Sequence, residues 1–492
     1  MPLVLGVDSS TQSTKVEVRD ADDGRLVASG RAPHPVTLPP RSEQDPAAWW
    51  SALREACAPL PRTPIGALSV AAQQMGLVAL DASSQVIRPA KLWNDTESAP
   101  QARRLVEALG PGAWAMACGS VPVASFTITK LAWLAEREPA SWARLARACV
   151  PHDWLTWRLA GRHVTDRGDA SGTGWWSPAE NRYREDLLAL VDAARDWRGA
   201  LPEVLGPLDA AGHVTPLAAG ELGAMGAALS GAVVAAGTGD NMAAALGAGL
   251  ERGDVAISLG TSGTVYAVSE HAVADATGAV GGFADATGRY LPLVCTLNAT
   301  KVTDAFARLL SMGRGAFEAA ALDTPAGSGG VVLVPYLDGE RTPNRPDATG
   351  VLAGLRSDTS AGQIARATFE GVVCGLLEAL EALGAAGVDT SGRLVLVGGG
   401  ARSRAYRRIV ADLAGRAVTV PLDGELVAKG ACLQAAAVLH GRTPDDVARA
   451  WCLARREGEG ERESDLIEPD PRVDAASVRA AHRRARDAMV AG

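Results

Sequence analysis

The same local pattern occurs twice in this chain, once at its start and again just past its midpoint. Each copy is a branched apolar run that predicts a buried strand, then a turn of small polar residues, then a second run that alternates as a return strand does. The copies are Leu3–Val18 and Asp254–Val268. The repeat is too long for a solenoid, so it predicts two related α/β domains that face each other.

Further segments with regular apolar spacing predict helices, and short branched runs predict buried strands. Ser360 is the expected N-cap of the longest helix. The charged, Pro/Gly-broken segment 455–471 predicts a surface loop, and the domain boundary is expected near 247–252. Helices are predicted at Gln101–Leu109, Thr129–Glu136, Ala140–Val150, Ala361–Leu383, Ser403–Leu413 and Val473–Met489, and strands at Leu26–Gly30, Ser69–Ala72, Leu77–Leu80, Ala232–Ala236 and Leu394–Val397.

Composition narrows the class of protein. The 492 residues are 47% hydrophobic and 21% charged, which excludes a disordered chain, a collagen-like fibre and a disulfide-stapled miniprotein. A chain of this length buries a large core without needing a metal or a disulfide. A net charge of −8 favours neither a nucleic-acid partner nor an anionic membrane surface.

Targeting and redox features point to the cytoplasm. The first residues lack the basic region of a signal peptide, and the apolar-rich stretch 231–250 is broken by polar residues, so no membrane span is expected. The seven cysteines show no CxxC pair and no metal-ligand spacing, which is typical of reduced thiols. None of the seven histidines belongs to a nucleophile motif, so a hydrolase triad is not supported.

The turn in each hairpin is a candidate phosphate site. Asp8–Ser13 and Gly260–Gly263 place hydroxyls and backbone N–H groups at one point, as phosphate-binding nests do. One such turn is weak evidence, but one in each domain predicts a polyphosphate held from both sides. Asp8 ends the first strand and could hold Mg²⁺ beside the phosphates. It could equally be a turn-forming Asp that accepts from local N–H groups.

Asp240 is the candidate general base. It lies in Gly237–Asn241, where a predicted strand ends and a helix begins, and α/β sheets place ligands at such strand ends. Its carboxylate could accept the proton of a substrate hydroxyl. The alternative is that Asp240 or Asn241 is only the N-cap of the helix that follows.

Two further segments carry weaker signals. Gly398–Ser403 is a glycine-rich turn between a strand and a helix, so a flat ligand or a phosphate could approach the helix N-terminus there. It is neither a Walker A loop nor a GxGxxG motif. Trp93, Asn94 and Asp95 could stack on and hydrogen-bond to a sugar, or Trp93 could be a buried aromatic next to a turn.

Taken together, these motifs resemble the FGGY family of carbohydrate kinases, and within it the xylulokinases. The resemblance extends from Leu3 to His440, and the order of the segments makes it specific. It implies two ribonuclease-H-like domains of the actin/hexokinase/Hsp70 superfamily facing a central cleft, an N-terminal domain over 1–246 and a C-terminal domain over 247–492. The matching segments are LGVDSSTQSTK, LWND, TDRGDASGT, GTGDNMAAALGAG, SLGTSGTV, PYLDGERTPNRP and LVGGGARSRAYRRI.

The resemblance also implies roles for individual residues. Asp240 matches the catalytic base, Asn241 a substrate-contacting position and Asp8 the aspartate associated with Mg²⁺. Gln74, Met75, Trp93 and Asp95 fall on the sugar side. The ATP side is implied to comprise Thr11, Gln12, Ser13, Thr261, Gly399, Gly400, Ala401 and Ser403, flanked by Arg404.

Two departures from the family pattern also fall on the sugar side. Met75 stands where xylulokinases usually have a sugar-contacting histidine, and Glu97 stands where an arginine is common. The expected reaction is ATP-dependent phosphorylation of a primary hydroxyl of a ketopentose. The first-choice substrate is D-xylulose, which would give D-xylulose 5-phosphate. Met75 and Glu97 keep ribulose, another ketose or a glycerol-like polyol open as the acceptor. The DGERTP segment is expected to be mostly structural.

Two alternatives belong to other classes of protein. A non-catalytic ATP-binding sensor on the same superfold would have no need of the Asp240 segment. A sugar-responsive repressor would need a basic helix-turn-helix extension, and the chain starts almost directly on its first strand. The expected partners are therefore the sugar and ATP, with no nucleic acid and no membrane, and the family leaves a homodimer open.

Overall fold

The structure is a computed structural model that describes residues 2–345, 347–451 and 464–489. The chain divides into two compact units, each built from a mixed β-sheet and helices. No helix in the described ranges is both long and apolar enough to cross a lipid bilayer. Unit 1 comprises Met1–Leu250, Glu270–Leu291 and Glu425–Gly458, and unit 2 comprises Glu251–Ser269, Pro292–Gly424 and Glu459–Gly492.

Up to Leu250 the chain alternates short strands with helices. The strands are β1 (Leu3–Ser9), β2 (Ser13–Asp20), β3 (Leu26–Pro33), β4 (Glu43–Gln44), β5 (Ala67–Ala72), β6 (Val78–Leu80), β7 (Ala90–Lys91), β8 (Arg147–Cys149), β9 (Val164–Asp166), β10 (Trp176–Ser177), β11 (Arg182–Tyr183), β12 (Glu203–Leu205), β13 (Ala210–His213), β14 (Val233–Ala235) and β15 (Thr238–Gly239). The helices are α1 (Pro46–Cys57), α2 (Ala99–Leu109), α3 (Pro111–Cys118), α4 (Thr127–Arg137), α5 (Pro139–Arg144), α6 (Pro151–Ala160), α7 (Arg167–Ser171), α8 (Glu185–Leu188), α9 (Pro216–Glu221), α10 (Ala224–Ala228) and α11 (Asp240–Gly247).

The rest of the chain contains the longest helix and the second hairpin. Its strands are β16 (Val255–Leu259), β17 (Gly263–Ala267), β18 (Gly281–Ala284), β19 (Tyr290–Thr296), β20 (Val332–Val334), β21 (Val351–Ala353), β22 (Leu394–Val397), β23 (Val418–Pro421) and β24 (Ser464–Ile467). Its helices are α12 (Thr300–Leu309), α13 (Arg314–Asp323), α14 (Ala361–Ala385), α15 (Arg404–Ala414), α16 (Leu426–His440), α17 (Pro444–Ala450) and α18 (Ala475–Ala488).

The sheet of unit 1 brings three strand ends to one edge. Its strand order is β13–β14–β5–β1–β2–β3, and β15 also pairs with β5. β1 forms an antiparallel hairpin with β2, but it runs parallel to β5, which in turn runs parallel to β15. Parallel neighbours end at the same edge of a sheet, where α/β proteins place their ligands. Consequently Asp8, Gln73 and Asp240, which lie at or just after these strand ends, belong to one edge.

Helix α16 packs on this sheet and on α11 through glycines. A Cβ atom at Gly430 would lie 1.8 Å from the carbonyl oxygen of Ala243, and one at Gly247 would lie 2.0 Å from that of Leu426. Gly6 in β1 is equally tight, because its Cβ would lie 2.1 Å from the oxygen of Ala428. Backbone therefore contacts backbone at these crossings, which leaves no room for any side chain.

Replacing Gly430 by alanine is expected to destabilise unit 1. The atom in the way is a helix carbonyl oxygen, which cannot rotate aside as a flexible side chain can. We expect a loss of about 3 kcal/mol, the upper end of the usual range for overpacking. Urea unfolding followed by circular dichroism measures it, and wild-type stability would contradict the close packing of α11 and α16.

Gly384 is the matched control for this substitution. It also lies within a helix, α14, but it is exposed and nothing lies within 4 Å of the position of its Cβ. Alanine there relieves the entropic cost of a helical glycine, so Gly384→Ala is expected to stabilise the protein by about 0.5–1 kcal/mol. The two identical substitutions thus have opposite expected signs.

Unit 2 repeats the arrangement of unit 1 around its own hairpin. β16 pairs antiparallel with β17 and parallel with β22, as β1 does with β2 and β5. Within the unit the strands follow the order β19–β17–β16–β22–β23–β24. Helix α14 begins after Ser360, whose side chain forms a capping box with Gln363. The predicted duplication of the hairpin and the predicted N-cap are both confirmed.

Two predictions about local structure were wrong in part. The helix predicted over Ala140–Val150 is α5 only as far as Arg144; residues 147–149 form β8, which pairs with β6. The loop predicted over 455–471 contains β24, which pairs with β23; residues 455–463 of that prediction lie outside the described residues. In both places tertiary pairing overrides local propensity.

Candidate active site

Asp8 is a buried carboxylate at the end of β1. Ser10 donates a hydrogen bond to it, and the Nζ atom of Lys15 lies 3.3 Å away on the paired strand β2. Lys15 also pairs with Glu425 at 2.6 Å, so one cation is shared by two acids. Burial raises the pKa of Asp8 above its usual value. A carboxylate in this state would be stabilised by a further positive charge.

Asp240 is the first residue of α11, and the N-cap is Gly239. The predicted alternative, in which Asp240 or Asn241 is the N-cap of the helix, is therefore wrong, because the cap lies one residue earlier. Oδ1 of Asp240 nevertheless accepts a hydrogen bond of 2.8 Å from the N–H group of Asn241. Burial, together with repulsion from Asp8 and Asp169, raises the pKa of Asp240 to about 7. The two candidate acids thus lie close enough to affect each other.

The amide of Asn241 connects Asp240 to the turn after β5. Its Nδ2 atom donates to Oδ1 of Asp240 at 3.0 Å and to Oε1 of Gln74 at 2.9 Å. Met75 follows with a φ of 61°, and a Cβ at Gly172 would lie 3.0 Å from its Cγ atom. The structure therefore brings the predicted residues Gln74 and Met75 to the Asp240 side of the sheet edge.

Trp93 contacts the first phosphate-type turn. Its indole N–H donates to the Thr11 hydroxyl at 2.9 Å, and that hydroxyl donates to Oε1 of Gln73 at 3.2 Å. Gln12 is exposed at the tip of the turn, and Ser13 is buried at the start of β2. The half-buried Trp93 is therefore not a simple core aromatic, because its polar edge is used by the turn.

Asp95 lies in a separate buried network. It accepts from the N–H group of Ser42 at 2.9 Å and from the ammonium of Lys91 at 3.0 Å. Lys91 also pairs with Glu43 at 3.0 Å and with Glu97 at 2.5 Å, and it lies over the ring of Trp133. Glu97, one of the departures from the family pattern, is thus a partner of a buried lysine.

In unit 2 the second turn and the glycine-rich loop lie side by side. Thr261 is exposed in the turn after β16. The end of β16 packs against the loop, since a Cβ atom at Gly398 would lie 2.8 Å from the oxygen of Leu259 and one at Gly400 would lie 2.6 Å from its Cβ. The loop forms a 3₁₀ turn over Gly399–Arg402, which includes Ala401.

Ser403 is the N-cap of α15. Its hydroxyl accepts from the N–H group of Tyr406 at 3.2 Å and donates to Glu318 at 3.0 Å, so both of its hydrogen-bonding roles are in use. Arg404, the first residue of α15, is exposed. A nucleotide could therefore meet the backbone of this loop and the Arg404 side chain more readily than the Ser403 hydroxyl.

Sequence reasoning missed a buried pair, His152 and Asp169, that contacts the segment leading into Asp240. His152 at the start of α6 is fully buried, and its Nδ1 atom lies 2.6 Å from Oδ2 of Asp169. Burial alone would lower the pKa of His152, but the surrounding carboxylates of Asp153, Asp169 and Asp166 raise it to about 10. The TDRGDASGT segment contained Asp169, but nothing in the sequence linked it to a distant histidine.

The geometry of this edge supports acid–base chemistry beside a cation. An acid with a pKa near 7 can gain or lose a proton at neutral pH, which is the optimum for a general base. Asp8 is a second buried carboxylate nearby, and its oxygens are ligands of the kind that Mg²⁺ prefers. The small-residue turn after it offers hydrogen-bond donors to phosphate oxygens.

Comparisons with known proteins identify the family of the chain. The model of the FGGY family of carbohydrate kinases, N-terminal domain, matches residues 3–247, and that of the C-terminal domain matches residues 255–439. A protein named xylulose kinase from Streptomyces coelicolor is 51% identical over 462 residues, covering 92% of this chain and 91% of that protein. A xylulose kinase from Streptomyces rubiginosus is 50% identical with the same coverage.

Solved structures show the same fold. The crystal structure of xylulose kinase from Bifidobacterium adolescentis superposes with a TM-score of 0.83 at 40% identity, covering 99% of each chain. The expected two-domain actin/hexokinase-like kinase fold is confirmed. Both family models match, and together they account for most of the sequence: the chain belongs to the FGGY family of carbohydrate kinases.

Proposed function

We propose that this protein transfers the terminal phosphoryl group of ATP to a primary hydroxyl of a ketopentose, with D-xylulose the first choice and D-xylulose 5-phosphate the product. The observation that carries the proposal is that Asp8 and Asp240 lie at one edge of the unit 1 sheet. The pKa of Asp240 is raised to about 7 there. The relatives named xylulose kinase support the choice of sugar.

In this proposal Asp240 is the general base. Its carboxylate accepts the proton of the attacking sugar hydroxyl, which leaves the oxygen free to form a bond to phosphorus as the bond to the ADP oxygen breaks. The amide of Asn241 holds Oδ1 of Asp240, so the other carboxylate oxygen is the one directed to the sugar. Most of the remaining work is positioning and charge stabilisation.

The remaining sugar contacts are proposed on the same side. Gln74 and Met75 follow β5 beside Asn241, and Trp93 offers a ring face for the C–H side of the sugar. Asp95 is also proposed as a sugar-side residue. Because it is buried beside Lys91, we propose that it acts by holding the loop that carries Trp93.

The nucleotide is proposed to contact the two small-residue turns and the glycine-rich loop. The turn residues supply hydroxyls and N–H groups for phosphate oxygens, and the glycine-rich loop accommodates the adenosine. The oxygen chemistry of Asp8, a buried acid with a second acid nearby, fits Mg²⁺, which would neutralise phosphate charge when bound. The proposed ATP residues are Thr11, Gln12, Ser13, Thr261, Gly399, Gly400, Ala401, Ser403 and Arg404.

We further propose that the enzyme works in the cytoplasm. The six cysteines within the described ranges are all free and buried, as is usual for proteins of a reducing compartment. A homodimer is proposed as the oligomeric state on the family resemblance, and light scattering of the purified protein tests it.

The test of function is ATP turnover with a panel of acceptors. D-xylulose, D-ribulose, L-ribulose, glycerol and a no-sugar control are compared by coupled measurement of ADP release. We expect D-xylulose to give the highest kcat/KM and the no-sugar rate to be negligible. Binding of ATP without sugar-stimulated ADP release with any acceptor would contradict the kinase and favour the sensor.

Met75 is the observation that favours a second acceptor. It carries a positive φ and packs close to Gly172, so it fills space where a histidine would offer a hydrogen bond. Glu97 is less informative, because it pairs with buried Lys91. A clear preference for ribulose or glycerol in the same panel would replace xylulose as the substrate and leave the chemistry unchanged.

A further inference from the structure

A buried ionic cluster contacts the segment that leads into Asp240, and the reaction proposed above does not use it. The Nε2 atom of His152 lies 3.3 Å from Oδ1 of Asp153 and 4.0 Å from Oδ1 of Asp166, and its Nδ1 atom lies 2.6 Å from Asp169. His152 and Asp169 are each 0% exposed. Buried ion pairs rarely stabilise a fold relative to apolar packing, so this cluster calls for another explanation.

The cluster contacts the two residues that precede Gly239. A Cβ atom at Gly237 would lie 2.6 Å from the imidazole carbon Cδ2 of His152, and the φ of Gly237 is +84°, which favours glycine. The hydroxyl of Thr238 donates to Oδ2 of Asp166 at 2.7 Å. The end of the strand that leads into Asp240 is therefore fixed by the histidine ring and by one of its acids.

A second connection runs through Gln74. Burial raises the pKa of Asp169, and the nearby amide of Gln74 opposes part of that rise. Gln74 accepts from Asn241 at 2.9 Å, and Asn241 donates to Asp240 at 3.0 Å. A Cβ atom at Gly239 would lie only 2.6 Å from Cγ of Gln74. The path from His152 thus reaches the Asp240 carboxylate through side chains as well as through the backbone.

We propose that His152 and Asp169 form a positioning unit for Asp240, which holds the Asp240 carboxylate in the orientation for proton abstraction. This inference rests on the proposed role of Asp240 as the base. His152 does not touch the substrate in this proposal; it acts through Gly237, Gln74 and Asn241. Small displacements of a catalytic group reduce turnover strongly, by roughly 10²-fold for about 1 Å.

The first test is steady-state kinetics of His152→Leu. We expect kcat to fall by roughly 10- to 100-fold, because a displaced base is poorly aligned. The KM for ATP should stay within about 3-fold of wild type, since no ATP residue is involved. A kcat within about 3-fold of wild type in a folded variant would overturn the proposal.

His482 provides a matched structural control. It is also a buried histidine beside a carboxylate, with its Nδ1 atom 3.3 Å from Glu378 in unit 2. His482→Leu should lower the melting temperature and leave kcat unchanged. Equal losses of kcat in His152→Leu and His482→Leu would mean general destabilisation and would overturn the positioning role.

Asp169→Asn guards against a misfolded His152 variant. It keeps the volume and one acceptor for the imidazole but removes the charge that orients it, so kcat should fall by roughly 10-fold with the KM for ATP unchanged. If this variant folds and turns over at the wild-type rate, the proposal fails even when His152→Leu cannot be purified.

The decisive readout is a double-mutant cycle with Asp240→Asn. A group that acts only through Asp240 adds no further loss once the carboxylate is gone, so His152→Leu/Asp240→Asn should match Asp240→Asn alone. Multiplying losses would contradict positioning. Near-normal turnover of Asp240→Asn would instead defeat the proposed base, whereas an inactive Asp240→Asn beside a normal His152→Leu defeats only this inference.

Discussion

Asp240→Asn is expected to lower kcat by roughly 10²- to 10⁴-fold, the usual contribution of a general base. Asparagine has the shape of aspartate and can keep the 2.8 Å contact with the N–H group of Asn241, but it cannot accept the proton of a sugar hydroxyl. The loss corresponds to about 3–5 kcal/mol of activation free energy. Binding of ATP should persist, because no proposed ATP residue is changed.

The measurement is coupled ADP release with D-xylulose at saturating MgATP, with ATP binding followed by isothermal titration calorimetry. Asp358→Asn is the control, since Asp358 is an exposed acid on the other unit. It should behave as wild type in both assays. Near-normal kcat for Asp240→Asn would exclude Asp240 as the base and leave its carboxylate a purely structural role at the start of α11.

The sequence predicted the duplicated hairpin because alternating and buried strands leave a direct pattern in the residues. β1, β2, β16 and β17 all fall where that pattern lies. The rule that ligands gather at strand ends singled out Asp240, and the small-polar turn after the first strand singled out Asp8. Local patterns together with one topological rule thus located the centre of the candidate site.

The ionic cluster could not be predicted in the same way. His152 and Asp169 are joined by a contact of 2.6 Å across two helices, α6 and α7, and no periodicity records such a pairing. The same holds for β8, which became a strand because β6 was available to pair with it. Both the His152–Asp169 contact and strand β8 depend on residues distant in the sequence, and a single sequence does not show which distant residues pair.

The contacts of Glu97 could not be predicted from the motif next to it. Glu97 was expected to fall on the sugar side as a departure from the family pattern, and the structure places its carboxylate 2.5 Å from the buried ammonium of Lys91. Lys91 needs several acids because a buried cation is costly unless it is paired. The surroundings of Glu97, which the motif does not contain, therefore determine its role.

The second large effect of Asp240→Asn is expected on the free energy of unfolding. The substitution lowers kcat, but it should make the folded protein more stable. The pKa of Asp240 is raised from an ordinary 3.8 to about 7 by burial and by Asp8 and Asp169. The folded protein thus holds this proton more tightly than the unfolded chain does. As pH rises from 3.8 to about 7, the unfolded chain ionises first, so this group progressively lowers the free energy of unfolding.

Above pH 7 the penalty is constant and reaches up to about 4 kcal/mol, at about 1.4 kcal/mol per pH unit between the two pKa values. Asparagine has no proton to lose, so Asp240→Asn should unfold several degrees above wild type at pH 8. The difference should shrink as pH falls and vanish near pH 4. Differential scanning calorimetry across this range measures it, with Asp358→Asn as the control that shows no such trend.

Equal melting temperatures at pH 8 would mean that the carboxylate carries no electrostatic penalty, and the raised pKa would then be wrong. If the variant is less stable than wild type at every pH, the Asp240 carboxylate stabilises the start of α11 and is not electrostatically unfavourable there. The combination of lower kcat and higher stability has one physical origin. The burial and the two neighbouring acids that would suit Asp240 to act as a base at neutral pH also disfavour its charged form, so a fold that keeps them together gives up stability for reactivity.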